Sequence, residues 1–310
     1  MVSLRGRIAL SVVKKFMNIN PAKCQDQVKR LQKMNFPDKY KAPKGWIREK
    51  VSLGEGVAME FVKPPQKKNN NLILVLHGGA YIIGLTDTYR QLSKIYSEAA
   101  NGGAVAFLDY RVAPDYKYPS ALEDAIKGWD KLLELGYQAS DIVIVGDSAG
   151  GNLTLALMLK LRDEGRELPQ GAVCMSPWAD MTASGESYLT NVKLDPMFGA
   201  DLEVGEHDVD KFLNCEIFSF VGDADRKCPF VSPVYGDYHG FPPMMFLAGT
   251  TELLLSDTLT IVEKLKKEGN EPELLIGEKM FHVWPLYPKL FPEARKAMQS
   301  ISAFISNLYK

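Results

Sequence analysis

No stretch of 18 consecutive apolar residues occurs in the chain, so a membrane-spanning helix is not expected. No unit of about 20 to 50 residues repeats, which excludes solenoids and propellers. Neither sign of charge is in excess: 37 Lys and Arg stand against 38 Asp and Glu, a formal net charge of -1. Nucleic acid is therefore not an expected partner. Cysteine is scarce. Cys24, Cys174, Cys215 and Cys228 lack CxxC spacing, read as neither a zinc site nor a disulfide framework, and suit a reducing cytoplasm. The one low-complexity patch, KKNNN at Lys67 to Asn71, is a loop tip.

What is present is a chain of 310 residues, 46% hydrophobic and 24% charged, long enough for a single large α/β unit that carries an insertion. The N-terminal MVSLRGRIALSVVKKFM resembles a targeting segment only superficially, because Lys14 and Lys15 interrupt its short apolar run. Leu4, Ile8, Val12 and Phe16 fall at helical spacing, and the stripe is expected to pack on its own protein. The rival reading is a membrane-surface anchor without stable insertion.

Two extended segments, IREKVS and GVAMEFV, flank Gly54-Glu55-Gly56 and read as a β-hairpin. From residue 72 short apolar runs alternate with helix-length segments: LILVL at 72–76, AVAFLDY at 104–110, IVIV at 142–145, AVCM at 172–175, MMFLAG at 244–249 and ELLI at 273–276. Such strands imply a mostly parallel sheet buried on both faces by helices. ALEDAIKGWDKLLELG and TLTIVEKLKKEG are two of those helices, each ending near a glycine where a C-cap wants positive φ. Between Asp180 and Phe241 the alternation breaks down, which marks an insertion above the sheet.

The run IVIV leads into Gly146-Asp147-Ser148-Ala149-Gly150, and NLTLALMLKL follows at once as a helix. This is the G-x-S-x-G nucleophile elbow in its strand-turn-helix context. Small residues are needed on either side of Ser148 because the turn is cramped, and the helix N-terminus aims its positive end at the serine. After LILVL comes His77-Gly78-Gly79-Ala80-Tyr81, where glycines let backbone N–H groups face a developing oxyanion. Gly78, Gly79 and Ala149 are the expected donors. A hydroxyl needs a base, and of the four histidines His282, in the loop after the last strand, stands where the order nucleophile, acid, base requires it. His77 belongs to the glycine turn, His207 to the insertion and His239 to an Asp-Tyr-His-Gly turn. The acid should follow MMFLAG. Glu252 lies nearest the strand end; Asp257 is the fallback, equally explicable as a first-turn anion.

Together these residues resemble the hormone-sensitive-lipase-like branch of the α/β-hydrolases, a family with many bacterial esterases. The resemblance spans roughly residues 70–300 and rests on HGGAY at 77–81, GDSAGG at 146–151, DYRVAP at 109–114 with YPSALEDA at 118–125, SPWADMT at 176–182 and FHVW at 281–284. GTTELLLSD stands where many members carry DPL; it is similar to a subgroup with EVLLDDS, in which the glutamate is the better match. The resemblance implies an α/β-hydrolase fold with a core of residues 46–182 and 236–310, under a cap of residues 1–45 and 183–235. It also implies a serine carboxylesterase of short- to medium-chain acyl esters, a small-molecule substrate, no metal, no organic cofactor, and a homodimer through the last strand edge and final helix. Carbohydrate deacetylase, amidase and non-catalytic small-molecule receptor are the alternatives. The insertion's Phe198, Phe212, Phe218, Phe220, Phe230 and Tyr235 are expected to line or roof an acyl pocket.

Overall fold

The five residues LILVL, which carry no polar group to expose, form a strand with every residue buried, β3 (Leu72–Leu76). In the computed structural model, which describes residues 2–16, 18, 29, 36–66, 69–199 and 209–310, seven further strands surround it. They are β1 (Ile47–Gly54), β2 (Val57–Lys63), β4 (Ala104–Asp109), β5 (Ile142–Asp147), β6 (Gly171–Met175), β7 (Met244–Gly249) and β8 (Glu273–Gly277). Their order in one sheet is β1-β2-β4-β3-β5-β6-β7-β8. The hairpin partners β1 and β2 are antiparallel, and β2 is antiparallel to β4; all other pairs are parallel.

The pleat sorts alternate residues to two cores. Leu72, Leu74 and Leu76 point to one, Ile73 and Val75 to the other. The first face is covered by α4 (Ser120–Glu134), α5 (Ala149–Asp163) and α8 (Leu255–Lys267), the second by α3 (Ser93–Ala99), which follows the short α2 (Asp87–Arg90), and α9 (Pro292–Leu308). The glycines expected to close α4 and α8 do so with positive φ: Gly136 at +88° and Gly269 at +81°. Between β6 and β7 lie the short helices α6 (Ser187–Thr190) and α7 (Val209–Leu213), with 3-10 turns at Glu216–Val221 and Pro233–Tyr235. Phe212, Phe218 and Phe220 from this stretch join the first core, Phe198 and Phe230 pack against it half-buried, and Tyr235 is exposed.

Two expectations are corrected. Helix α1 (Leu4–Phe16) forms, but its Leu4, Ile8 and Val12 stripe faces outward, 67%, 55% and 49% exposed, while Val13 is buried against the second core. The cause is anchorage at the other side. Glu293 of α9 accepts the Ser3 N–H at 2.6 Å and the Ser3 hydroxyl at 2.8 Å, and Gly6 lies so close that an added Cβ would sit 3.1 Å from Glu293 Oε2. The Phe16 side chain lies outside the described residues. Second, Cys215 is disulfide-bonded, whereas Cys174 and Cys228 are free thiols. Sequence spacing hid this because pairing depends on spatial, not sequential, neighbours. Cys24 lies outside the described residues. Among those described, no helix is long and apolar enough to cross a membrane.

Candidate active site

Register carries the C-terminal strand ends to one place. Leu76 pairs with Gly146 and Asp147 with Met175, so the turns after β3, β5 and β6 adjoin. Ser148 occupies the bend between β5 and α5 with φ 51° and ψ -119°, a conformation that disfavours any residue with a Cβ. The flanking glycines are sterically required. A Cβ on Gly146 would collide with the Gly150 carbonyl and Thr154 Oγ1, and one on Gly150 with the Leu76 carbonyl. The bend is tied down by Ser148 N–H donating to Met175 O at 2.9 Å and by Ser148 O accepting from Trp178 N–H at 3.0 Å. The first turn of α5 begins at Ala149, so the helix's positive end lies beside the hydroxyl.

The loop after β8 brings His282 to Glu252 in the turn after β7, with Nδ1 to Oε2 at 2.8 Å and both side chains buried. Nε2 is also buried and has no hydrogen-bond partner. Phe198 rests edge-on against the imidazole, ring centroids 4.9 Å apart. The other Glu252 oxygen, Oε1, accepts the Ser176 hydroxyl at 2.8 Å and the Gly249 N–H at 2.5 Å. Asp257 lies elsewhere. Its Oδ2 accepts the N–H groups of Ala179 and Asp180, each at 2.8 Å, and the Tyr188 hydroxyl at 3.2 Å. Burial pushes its carboxyl well above the ordinary range. It ties α8 to the loop after β6 and makes no bond to His282.

Gly78 departs from its expected part. Its N–H is occupied by Asp147 Oδ1 at 3.0 Å and Tyr89 Oη at 2.9 Å, which staple the glycine turn to the elbow. The N–H groups of Gly79 and Ala149 donate to nothing among the described residues, and neither does that of Ala80, which the sequence reading had not singled out. Gly79 has φ +112° and Ala80 +55°, so the turn is held in a shape that leaves successive N–H groups unpaired. His77 is buried, stacked on Tyr110 at 4.1 Å, its Nδ1 on Gly78 O at 2.9 Å; burial lowers its basicity. His239 pairs with Asp237 at the surface. His207 lies outside the described residues.

Three contributors escaped the sequence reading. Asp147 is fully buried, and burial pushes its carboxyl up to about 6 against the opposing pull of the His282 charge, the Tyr89 hydroxyl and the Gly78 N–H. Asp195 accepts N–H bonds from Met197 and Phe198, at 2.8 and 3.0 Å, and from Leu253 at 2.8 Å, joining the Phe198 turn to the Glu252 turn. Ser176 bridges the Glu252 turn and the loop that carries His282. A polar residue at the end of an apolar strand, Asp147 as the last residue of β5 and Ser176 directly after β6, was the available signal; nothing marked Asp195. Among the described residues no cluster of three or more His, Cys, Asp or Glu side chains could hold a metal ion.

A parallel sheet with a strained serine on the elbow and an acid-paired histidine on the last loop defines a serine hydrolase of the α/β type. Residues 73–286 match the profile of an alpha/beta hydrolase fold family, and the chain belongs to it. Within it the protein is a carboxylesterase of the hormone-sensitive-lipase-like branch. It is similar to an acetyl-hydrolase of Streptomyces hygroscopicus, 35% identical over 256 residues, 82% of this chain and 81% of that one. It is also similar to an esterase of Acinetobacter venetianus, 32% identical over 253 residues, 82% and 80% of the two chains. An esterase from the bacterial hormone-sensitive lipase family superposes with TM-score 0.81 at 29% identity, covering 100% of both chains. Crystals of EstE5 soaked with p-nitrophenyl butyrate give TM-score 0.83 at 30% identity and 99% of both chains.

Proposed function

We propose that the protein hydrolyses short- to medium-chain acyl esters through an acyl-enzyme on Ser148. Ser148 Oγ attacks the carbonyl while His282 Nε2 takes its proton. Glu252 Oε2 holds the Nδ1–H tautomer and offsets the imidazolium charge. The N–H groups of Gly79, Ala80 and Ala149 receive the oxyanion. His282 then protonates the departing alcohol, and water activated by the same nitrogen releases the acid. The observation that carries this reading is the 2.8 Å Glu252–His282 contact with Nε2 left buried and unpartnered. It also weighs against the receptor alternative, which has no use for an acid-oriented base.

Residues 1–45 and 183–235 act as the cap in this reading, over a core of 46–182 and 236–310. The Phe198 contact with His282 supports a roofed site that favours short acyl chains. A second reading, removal of acetyl groups, is favoured by the name of the Streptomyces relative. Rates on p-nitrophenyl esters of rising acyl length, beside acetylated sugars and anilides, separate the two and test the amidase alternative. Ser148→Ala and His282→Ala should each lower kcat by about 10⁴ or more, and Glu252→Gln by on the order of 10² or more, with folding intact. Asp257→Asn should keep most of its turnover. A fully active Ser148→Ala, or collapse of Asp257→Asn with Glu252→Gln intact, overturns the scheme.

A further inference from the structure

Ser176 directly follows β6, is fully buried and has φ +47°, a backbone state in which glycine is the default. A serine standing there puts the weight on its hydroxyl. That hydroxyl donates to Glu252 Oε1 at 2.8 Å and accepts the Val283 N–H at 3.2 Å. Val283, the residue after His282, is itself left-handed at φ +52° although β-branched, so the base loop also adopts a shape it would not choose alone. Oε1 is filled by Ser176 and by the Gly249 N–H, which leaves Oε2 as the oxygen that meets the imidazole at 2.8 Å.

We propose that Ser176 is a positioning residue of the triad: one hydroxyl fixes the rotation of the Glu252 carboxylate and pins the backbone next to His282. The inference rests on the triad reading above. Its physical basis is that the acid turn and the base loop arise from different strands, β7 and β8, and the side-chain bonds that join them apart from the His282 contact, Thr251 Oγ1 to Met280 O at 2.6 Å and Lys279 N–H to Thr250 Oγ1 at 2.8 Å, do not touch the Glu252 carboxylate. A single group bonded to both defines the angle at which Oε2 reaches Nδ1, and so the direction in which Nε2 points. Small misplacements of a general base are costly, on the order of 10²-fold per Å.

The experiment compares Ser176→Ala and Ser176→Gly for kcat, KM and melting temperature with p-nitrophenyl butyrate, beside Glu252→Gln and the double variant Ser176→Ala/Glu252→Gln. Both single variants should lose kcat by roughly 10- to 100-fold with KM within about two-fold. The glycine variant, whose backbone accepts φ +47°, should melt at or above the alanine variant and yet be no more active. The double variant should be slower than Glu252→Gln alone by clearly less than the Ser176→Ala loss measured in the wild type, because part of the Ser176 effect runs through that carboxylate. Wild-type kcat in either folded single variant, or recovery of activity in Ser176→Gly, overturns the proposal and assigns the residue to backbone packing. A fully active Glu252→Gln instead overturns the triad reading, whatever Ser176 does.

Discussion

At the scale of the residue, the site is a collection of groups held in states that water or an open chain would not give them. Ser148, Ser176 and Val283 are non-glycine residues with positive φ, and all three lie within the site. Asp147 is a carboxyl enclosed on all sides, raised from 3.8 to about 6, chiefly by burial. The folded state holds the proton more tightly than the unfolded chain, so the contribution is present below about pH 4 and is lost as pH rises through about 6. Asp147→Asn mimics the protonated form and can still accept the Gly78 N–H. Its melting temperature relative to wild type should therefore climb between pH 5 and pH 8; a constant offset would show that Asp147 is not the titrating group. Ser148 and His282, the proposed nucleophile and base, could be picked from the sequence because G-x-S-x-G and the late histidine have fixed places in the chain. The sequence favoured Glu252 over Asp257 but left the second as a fallback. Both are acids within five positions of each other, and only the direction of their side chains separates the one that meets an imidazole from the one that caps two backbone amides.

At the scale of the element, the elbow works because β5 and α5 meet with no room between them. Gly150→Ala would drive a Cβ into the Leu76 carbonyl, on the central strand β3, which cannot move without breaking its pairing on both sides. Gly56 in the β1–β2 hairpin also has positive φ, +82°, but has open space around it. Urea unfolding should show a loss of about 3 kcal/mol or more for Gly150→Ala, from overpacking, and only about 1 kcal/mol for Gly56→Ala, from backbone strain alone. Equal losses would mean that crowding does not hold the elbow. The strands and the helices α4 and α8 were readable from apolar runs and terminal glycines. The facing of α1 was not, because a helical stripe states only that one face is apolar. What decided it was a distant partner, Glu293, which holds the opposite side.

At the scale of the whole molecule, the parallel sheet collects at one edge groups that are far apart in the chain. Ser148, Ser176, Glu252 and His282 leave four different strands, and the bonds among Ser176, Glu252 and His282 join three of those departures. The disulfide at Cys215, in the stretch between β6 and β7, belongs to this scale as well. It removes the cysteine argument for a reducing cytoplasm. Under denaturing conditions without reductant, alkylation should label Cys174 and Cys228 but leave Cys215 unmodified until dithiothreitol is added; a Cys215 labelled from the outset would contradict the bond.

By itself the sequence determined the alternation of strand and helix and the elbow with its glycines, and it offered His282 as the proposed base, because each depends on neighbours within a few residues or on order along the chain. Tertiary structure decided which acid meets His282, the engagement of the Gly78 N–H by Asp147 and Tyr89, the outward face of α1, the Cys215 bond and the Ser176 bridge. Each of these depends on a partner dozens to hundreds of positions away, and on the direction in which a side chain points once the sheet has brought the two together.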